Sequence, residues 1–284
     1  MSGTCEHCIK GAIHAGLPKG KEELVHGITT YIVGNRVNPK AIIVVYSDIF
    51  GLKLPNNKLI ADVYAASGDY LVYLPDFFAG DPMKLKFANV AIPVDASRQS
   101  SLSKYSGLLA SMPSLLLWLG RHKEEPTWEY CRKFLDALRR DTYGKVKIGM
   151  SGFCWGGRYA IRAGQTSSNI QIGGQVVPLV DAVVALHPSN LELPRDVNAP
   201  SVAVPLSIAW GEDDEMVSIK QRGQIEDIFE KLSQSGTSLP VVEHRTYKPG
   251  RHGFAVRGNP DNPVERSILE DTEKQAVDWF KRWL

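Results

Sequence analysis

The stretch Val146-Lys147-Ile148-Gly149-Met150-Ser151-Gly152-Phe153-Cys154-Trp155-Gly156-Gly157 decides the fold. An alternating apolar run feeds a Gly-x-Cys-x-Gly-Gly turn, and a helix-like segment, Arg158 to Ala163, comes next. Small residues two before and two after a nucleophile let a strand turn sharply into a helix without a side-chain clash. Gly152 and Gly156 stand at those offsets. Such an elbow lifts the Cys154 sulfur above the sheet and sets the Trp155 N–H at a helix N-terminus, where a developing oxyanion can be held. A cysteine among glycines also serves as a small core residue, so the meaning of the motif depends on the residues downstream of it.

Beyond the elbow, the apolar strand Pro205 to Trp210 runs into Gly211-Glu212-Asp213-Asp214-Glu215-Met216-Val217. Later, Val241 to Tyr247 runs into Lys248-Pro249-Gly250-Arg251-His252-Gly253-Phe254. Nucleophile, acid and histidine thus occur in the order of the α/β-hydrolase fold, the acid and the histidine each on a loop after a strand.

Strand and helix patterns alternate along the chain. Ala41 to Tyr46, Tyr70 to Leu74 and Asp181 to Leu186 are near-continuous apolar runs, as in strands buried on both faces of a parallel sheet. Asn57 to Ala66, Thr127 to Asp141, Gln221 to Leu232 and Glu265 to Leu284 carry helical periodicity. This predicts one α/β-hydrolase domain over residues 25–284, a doubly wound, mostly parallel sheet with helices on both faces, preceded by a tail, 1–24. Gly80 to Pro126 is longer than a simple crossover, and its apolar part, Leu108 to Leu119, reads equally as a lid or as one more crossover helix.

At 284 residues, with 43% hydrophobic and 23% charged, the chain is long enough for one sizeable core. A net charge of +2 without a basic run argues against nucleic acid as a partner. The N-terminus lacks the apolar core of a secretory signal, and no apolar run approaches the roughly 20 residues that span a bilayer. The expectation is a cytoplasmic protein with no membrane partner. Its four cysteines are too few and too unevenly placed for a disulfide scaffold. Cys5, His7, Cys8 and His14 have a spacing that zinc accepts, but a lone Cys-x-x-Cys is a weak signal, and neither a metal nor a cofactor is expected.

Ser47-Asp48-Ile49-Phe50-Gly51, Pro75-Asp76-Phe77-Phe78, Gly152 to Gly157, Gly211-Glu212-Asp213-Asp214 with Val217, and His252-Gly253-Phe254 together resemble the dienelactone hydrolase family. The N-terminal Cys5-x-x-Cys8-x-x-Gly11-x-x-His14-x-Gly16-x-Pro18-x-Gly20 resembles its fungal and other eukaryotic branch. The resemblance implies a metal-free hydrolase of lactones or small esters working through a Cys-His-Asp triad. Cys154 would be the nucleophile, and His252 the base and then the proton donor. Asp214 would orient the ring, with Asp213 as the alternative. The backbone N–H groups of Trp155 and Ile49 would hold the oxyanion. Asp48 stands where the bacterial enzymes carry a glutamate that gates the thiol.

Those enzymes bind an anionic substrate with two arginines, where Gly80 and Val256 stand here; Arg257 is adjacent. The expectation is therefore a lactone or ester not selected for negative charge, against a pocket that includes Phe50, Phe78, His187 and Arg257. Phe77 reads as core, Cys131 as core, and His244 as a structural strand residue. The alternative is a hydrolase-like binding protein, or a lyase or isomerase of a secondary metabolite, with little hydrolytic turnover. Monomer and homodimer are equally open.

Overall fold

The computed structural model describes residues 14–85, 112–197, 201–234 and 240–284. Eight strands form one sheet in the order β1-β2-β4-β3-β5-β8-β9-β10. They are β1 (Lys21–Val25), β2 (Ile28–Gly34), β3 (Ala41–Tyr46), β4 (Tyr70–Pro75), β5 (Lys147–Phe153), β8 (Ala182–Leu186), β9 (Leu206–Gly211) and β10 (Val242–Tyr247). From β4 to β10 all neighbours are parallel, while β1 and β2 join antiparallel at one edge. The short strands β6 (Ile170–Ile172) and β7 (Gln175–Val177) pair only with each other.

The period-2 alternation of β3 divides the core. Ile42, Val44 and Tyr46 point to one face, against residues of α2 (Glu124–Asp141), α3 (Trp155–Ala163) and α4 (Ile219–Gln234). Ala41, Ile43 and Val45 point to the other, against residues of α1 (Pro55–Ala66) and α6 (Pro263–Trp283). With both faces covered, all six residues of β3 are buried, which is why its sequence is apolar without interruption. The turn Asn259 to Pro263 ends as an N-cap: the Asn262 side chain accepts from the N–H groups of Val264 and Glu265, with Pro263 in the first turn of α6.

One departure from the sequence reading concerns the start of this architecture. Lys21–Val25 is an edge strand, so the sheet begins inside the stretch read as tail; its pattern is almost wholly exposed, which leaves no apolar signal to read. The preceding residues lie along α1, where the Lys19 N–H donates to Asp62 (2.9 Å) and the Tyr31 hydroxyl donates to the same carboxylate (2.5 Å). Of the long interval after β4, residues 112–121 are helical. The rest of Leu108 to Leu119, and Cys5, His7 and Cys8, lie outside the described residues.

The elbow helix α3 is anchored by charge. Asp196, fully buried, accepts from Arg158 Nε and Arg162 Nε at 2.8 Å each, and both guanidiniums reach Glu124 on α2 at 2.8 Å. Removing the central carboxylate takes away the buried partner of the two guanidiniums and leaves them Glu124 in common. Asp196→Ala should lower stability by about 3–5 kcal/mol in urea unfolding.

Candidate active site

The glycine pattern of the elbow follows from interatomic distance. A Cβ on Gly156 would lie 2.3 Å from the Tyr46 carbonyl oxygen, and one on Gly152 would lie 2.4 Å from the Gly156 carbonyl oxygen. Helix α3 therefore presses on the ends of β3 and β5 at backbone contact. Between these glycines Cys154 takes φ 51° and ψ −114°, a conformation that costs a non-glycine residue on the order of 1–3 kcal/mol. The turn is closed by the Gly157 N–H on the Cys154 carbonyl (3.1 Å), and Trp155 opens the helix with one of the N–H groups that have no intrahelical acceptor.

His252 follows β10 and Asp214 follows β9, and both are buried. His252 Nδ1 lies 3.0 and 2.9 Å from the two oxygens of Asp214, so the carboxylate fixes the ring. Asp214 is itself held, accepting from the Met216 N–H at 2.8 Å. Asp213 is exposed and Glu212 pairs with Lys248 (3.0 Å), so Asp214 is the carboxylate of this loop that meets the histidine. The other ring nitrogen, Nε2, is buried, and the group it interacts with is the Cys154 side chain. Burial alone would lower the pKa of His252. The charge of Cys154 and the bonded Asp214 overcome it, and the value is raised to about 10.

The Cys154 Sγ lies 3.6 Å from the Ser189 Oγ, and the Ser189 N–H donates to the Cys154 carbonyl (3.0 Å). Ser189 touches the thiol, and the sequence reading does not single it out. It sits in the turn after β8, a place without periodicity, and the only available signal was its closeness in sequence to His187.

Asp48, Ile49, Phe50, Cys154, His187, His252, Gly253 and Arg257 line one narrow recess with no room for a water molecule. Cys154 and His252 are only 5% and 4% exposed. Asp48 Oδ1 accepts from the Phe50 N–H (3.1 Å) and from Asn57 Nδ2 (3.0 Å). Burial raises the pKa of Asp48, while Asn57 and the charge of Arg257 oppose the rise. Arg257, on the one-turn helix α5 (Phe254–Arg257), is buried over the Phe50 ring at 5.5 Å, and its charge interacts with those of Asp48 and Cys154. The thiol thus touches Ser189 and interacts with His252, while Asp48 is hydrogen-bonded to Phe50 and Asn57.

Phe78 does not line this space. It packs one layer back, on Trp118 (5.3 Å) and His122 (5.5 Å), because the helical residues 112–121 and the turn after them come down on it. Phe77 is core against Tyr46 and Phe134, and Cys131 is buried. His244 accepts from Trp210 Nε1 (3.1 Å), away from the site, and burial lowers its pKa to about 4.

The dienelactone hydrolase family model matches residues 28–284. The chain belongs to the dienelactone hydrolase family. It is 30% identical to "Hydrolase pyvD" of Aspergillus violaceofuscus over 279 residues, covering 98% of this chain and 96% of the relative. It is 27% identical to "Dienlactone hydrolase 1" of Gibberella moniliformis, covering 98% and 93%. Among solved structures, a putative dienelactone hydrolase from Klebsiella pneumoniae aligns with a TM-score of 0.56 at 18% identity over 93% of this chain and 98% of that one. The Pyrococcus furiosus esterase Pf2001 aligns with a TM-score of 0.58 at 13% identity over 96% and 98%, which speaks for the α/β-hydrolase fold alone. This dienelactone hydrolase-like protein is a hydrolase of the carboxylic ester and lactone class. Among its described residues no helix is long and apolar enough to cross a membrane, and no group of histidine, cysteine and carboxylate side chains is arranged to hold a metal ion.

The raised pKa of His252 sets the direction of a titration. The imidazolium should persist to about pH 10 in ring-nitrogen NMR of the native protein. Asp214→Asn and Cys154→Ala should each lower the midpoint. With both changes burial is opposed by the charge of Asp48 without its two strongest allies, and the midpoint should fall further than with either change alone.

Proposed function

We propose that this protein hydrolyses a neutral lactone or small ester through Cys154, His252 and Asp214. The observation that carries the reading is the doubly held His252 ring, its Nε2 buried beside a cysteine on a strained elbow. The ring is oriented before substrate arrives, and a thiolate facing an imidazolium is the reactive form of a cysteine nucleophile.

In acylation the Cys154 sulfur bonds to the carbonyl carbon and the carbonyl electrons move to oxygen, which the Trp155 and Ile49 N–H groups hold. Collapse of this intermediate breaks the acyl C–O bond, and His252 gives its Nε2 proton to the departing alkoxide. In a lactone that alkoxide stays tethered through the acyl chain. Water, deprotonated by the now neutral His252, then attacks the thioester carbonyl; the C–S bond breaks, and carboxylic acid and thiolate–imidazolium are restored. Asp214 keeps the proton on Nδ1 throughout, so that Nε2 alone exchanges protons. Ser189 holds the sulfur in the resting state, and it must yield as the sulfur turns towards substrate.

The charge balance argues for an uncharged substrate. Of the two positions at which the bacterial enzymes carry arginine, Gly80 is exposed and Val256 is apolar and buried. The charge of the pocket's cation, Arg257, already interacts with that of Asp48, so a substrate carboxylate would add a second negative charge beside a buried one.

Hydrolysis of neutral and carboxylate-bearing lactones and aryl esters, followed for native protein and Cys154→Ala in parallel, tests the reading. Cys154→Ala should lose at least about 10³-fold in kcat/KM. Native protein should favour neutral members by about tenfold or more, which corresponds to roughly 1.4 kcal/mol. Asp48→Asn keeps the Oδ1 acceptor for Phe50 and Asn57 while removing the charge, so it should move the preference towards anionic members. Hydrolysis equal in native and Cys154→Ala protein would sink the proposal.

A further inference from the structure

The pocket contains a polar side chain for which the reaction above has no use. His187 follows β8 directly and is fully buried, and neither Nδ1 nor Nε2 has a hydrogen-bond partner among the described residues. Buried imidazole nitrogens are ordinarily bonded, and each one left unmade costs about 1–3 kcal/mol. The backbone adds to the cost, because His187 has φ 39°, in the left-handed region that side-chain-bearing residues avoid. It is held there by its N–H on the Ala209 carbonyl, at 2.9 Å. An unmet polar group on a strained backbone therefore lines the same narrow recess as Cys154.

The surroundings define what it can bind. The rings of Phe153 and Phe254 lie 6.1 and 5.3 Å away and offer no acceptor, and His252 stands edge-to-face at 5.0 Å. Burial, and then the charges of His252 and Arg257, hold the His187 pKa well below its ordinary value, so the ring is neutral. A neutral imidazole offers one N–H donor and one bare nitrogen. A hydroxyl both donates and accepts, so it matches whichever nitrogen faces the pocket, whereas an ammonium would meet two like charges and a methylene would leave the nitrogen unmet.

We propose that His187 is a specificity-determining residue that hydrogen-bonds a hydroxyl group on the acyl part of the substrate, making hydroxylated lactones or esters the preferred class. The inference rests on the Cys154 reading. Its energetic logic is that of sites built around a substrate hydroxyl: an analogue lacking the group leaves a buried partner unsatisfied and is rejected more strongly than a change of apolar size would achieve.

The test uses the 4-nitrophenyl esters of butyric, 2-hydroxybutyric and 3-hydroxybutyric acids with native protein, His187→Phe and His187→Gln. The quantity read is the kcat/KM ratio of each hydroxy ester to the butyrate, compared between proteins so that the intrinsic reactivity of each ester cancels. At least one ratio should be tenfold or more higher in native protein than in His187→Phe, with partial recovery in His187→Gln. A merely structural role would move all three esters together and leave the ratios unchanged, which would overturn the proposal. If the phenylalanine variant does not fold, the glutamine variant and the native ratios, corrected by alkaline hydrolysis rates of the free esters, decide. Corrected native ratios near one overturn it. Failure of native protein to cleave any of the three, or cleavage undiminished in Cys154→Ala, would overturn the Cys154 reading and this inference with it. Cleavage by Cys154 at equal corrected rates would overturn this inference alone.

Discussion

The structure depends on a backbone-to-backbone approach. Helix α3 comes so close to the ends of β3 and β5 that Gly156 rests on the Tyr46 carbonyl and Gly152 on the carbonyl of Gly156. Any side chain at either position would push the helix off the sheet. The approach forces Cys154 into its left-handed conformation, and the buried Asp196 network opposes recoil by holding Arg158 and Arg162 of the same helix. Because β3, β5, β9 and β10 run parallel, the segments after them emerge at the same end of the sheet as the elbow. Asp48, Asp214 and His252 are delivered to the cysteine by topology before any side chain chooses a partner.

The second level of organisation is charge in a dry space. Asp48, Asp214, His252 and Arg257 are all buried, and an isolated ion there would cost several kcal/mol. Each has an opposing charge or a hydrogen bond: Asp214 with His252, Asp48 with Asn57 and Arg257. The loop carrying Arg257 is tied down from outside, since Asn56 Nδ2 donates to the Val256 carbonyl (2.7 Å) and its Oδ1 accepts from the His14 N–H (2.9 Å). The His14 ring, in turn, meets the Gly258 carbonyl at 2.9 Å. The segment before β1, far from the chemistry in sequence, thus supports the position of a charge in the pocket.

Which parts were legible in the sequence depends on the kind of signal each leaves. The elbow is legible because steric exclusion demands glycine at fixed offsets from Cys154. The buried strands are legible because two covered faces leave no room for polar residues. Asp214 is legible because its loop comes after an apolar strand at a set distance from Val217. Ser189 left no such mark, because a serine in a turn is ordinary and its closeness to the sulfur is a fact of three dimensions. Arg257 was seen only as a neighbour of the expected position, since a four-residue helix is too short to show which way its side chains point. Phe78 was misplaced by one layer because its cover, residues 112–121, comes more than thirty residues later along the chain. Strand β1 was missed because hydrogen bonding to β2, and not burial, makes it a strand.

The sealed pocket changes how kinetic constants of this enzyme are to be interpreted. With the sulfur and the imidazole almost wholly covered, a substrate reaches them only in a less populated, opened form. The apparent affinity of every substrate is then reduced by the fraction of molecules open at a given moment. That factor belongs to the protein and is common to all molecules that enter by the same opening, so it cancels when two of them are compared. A high KM for a given ester would therefore say little about how well it fits. The ranking of esters against one another carries the information about Arg257, Asp48 and His187, and weak absolute binding is compatible with strict discrimination.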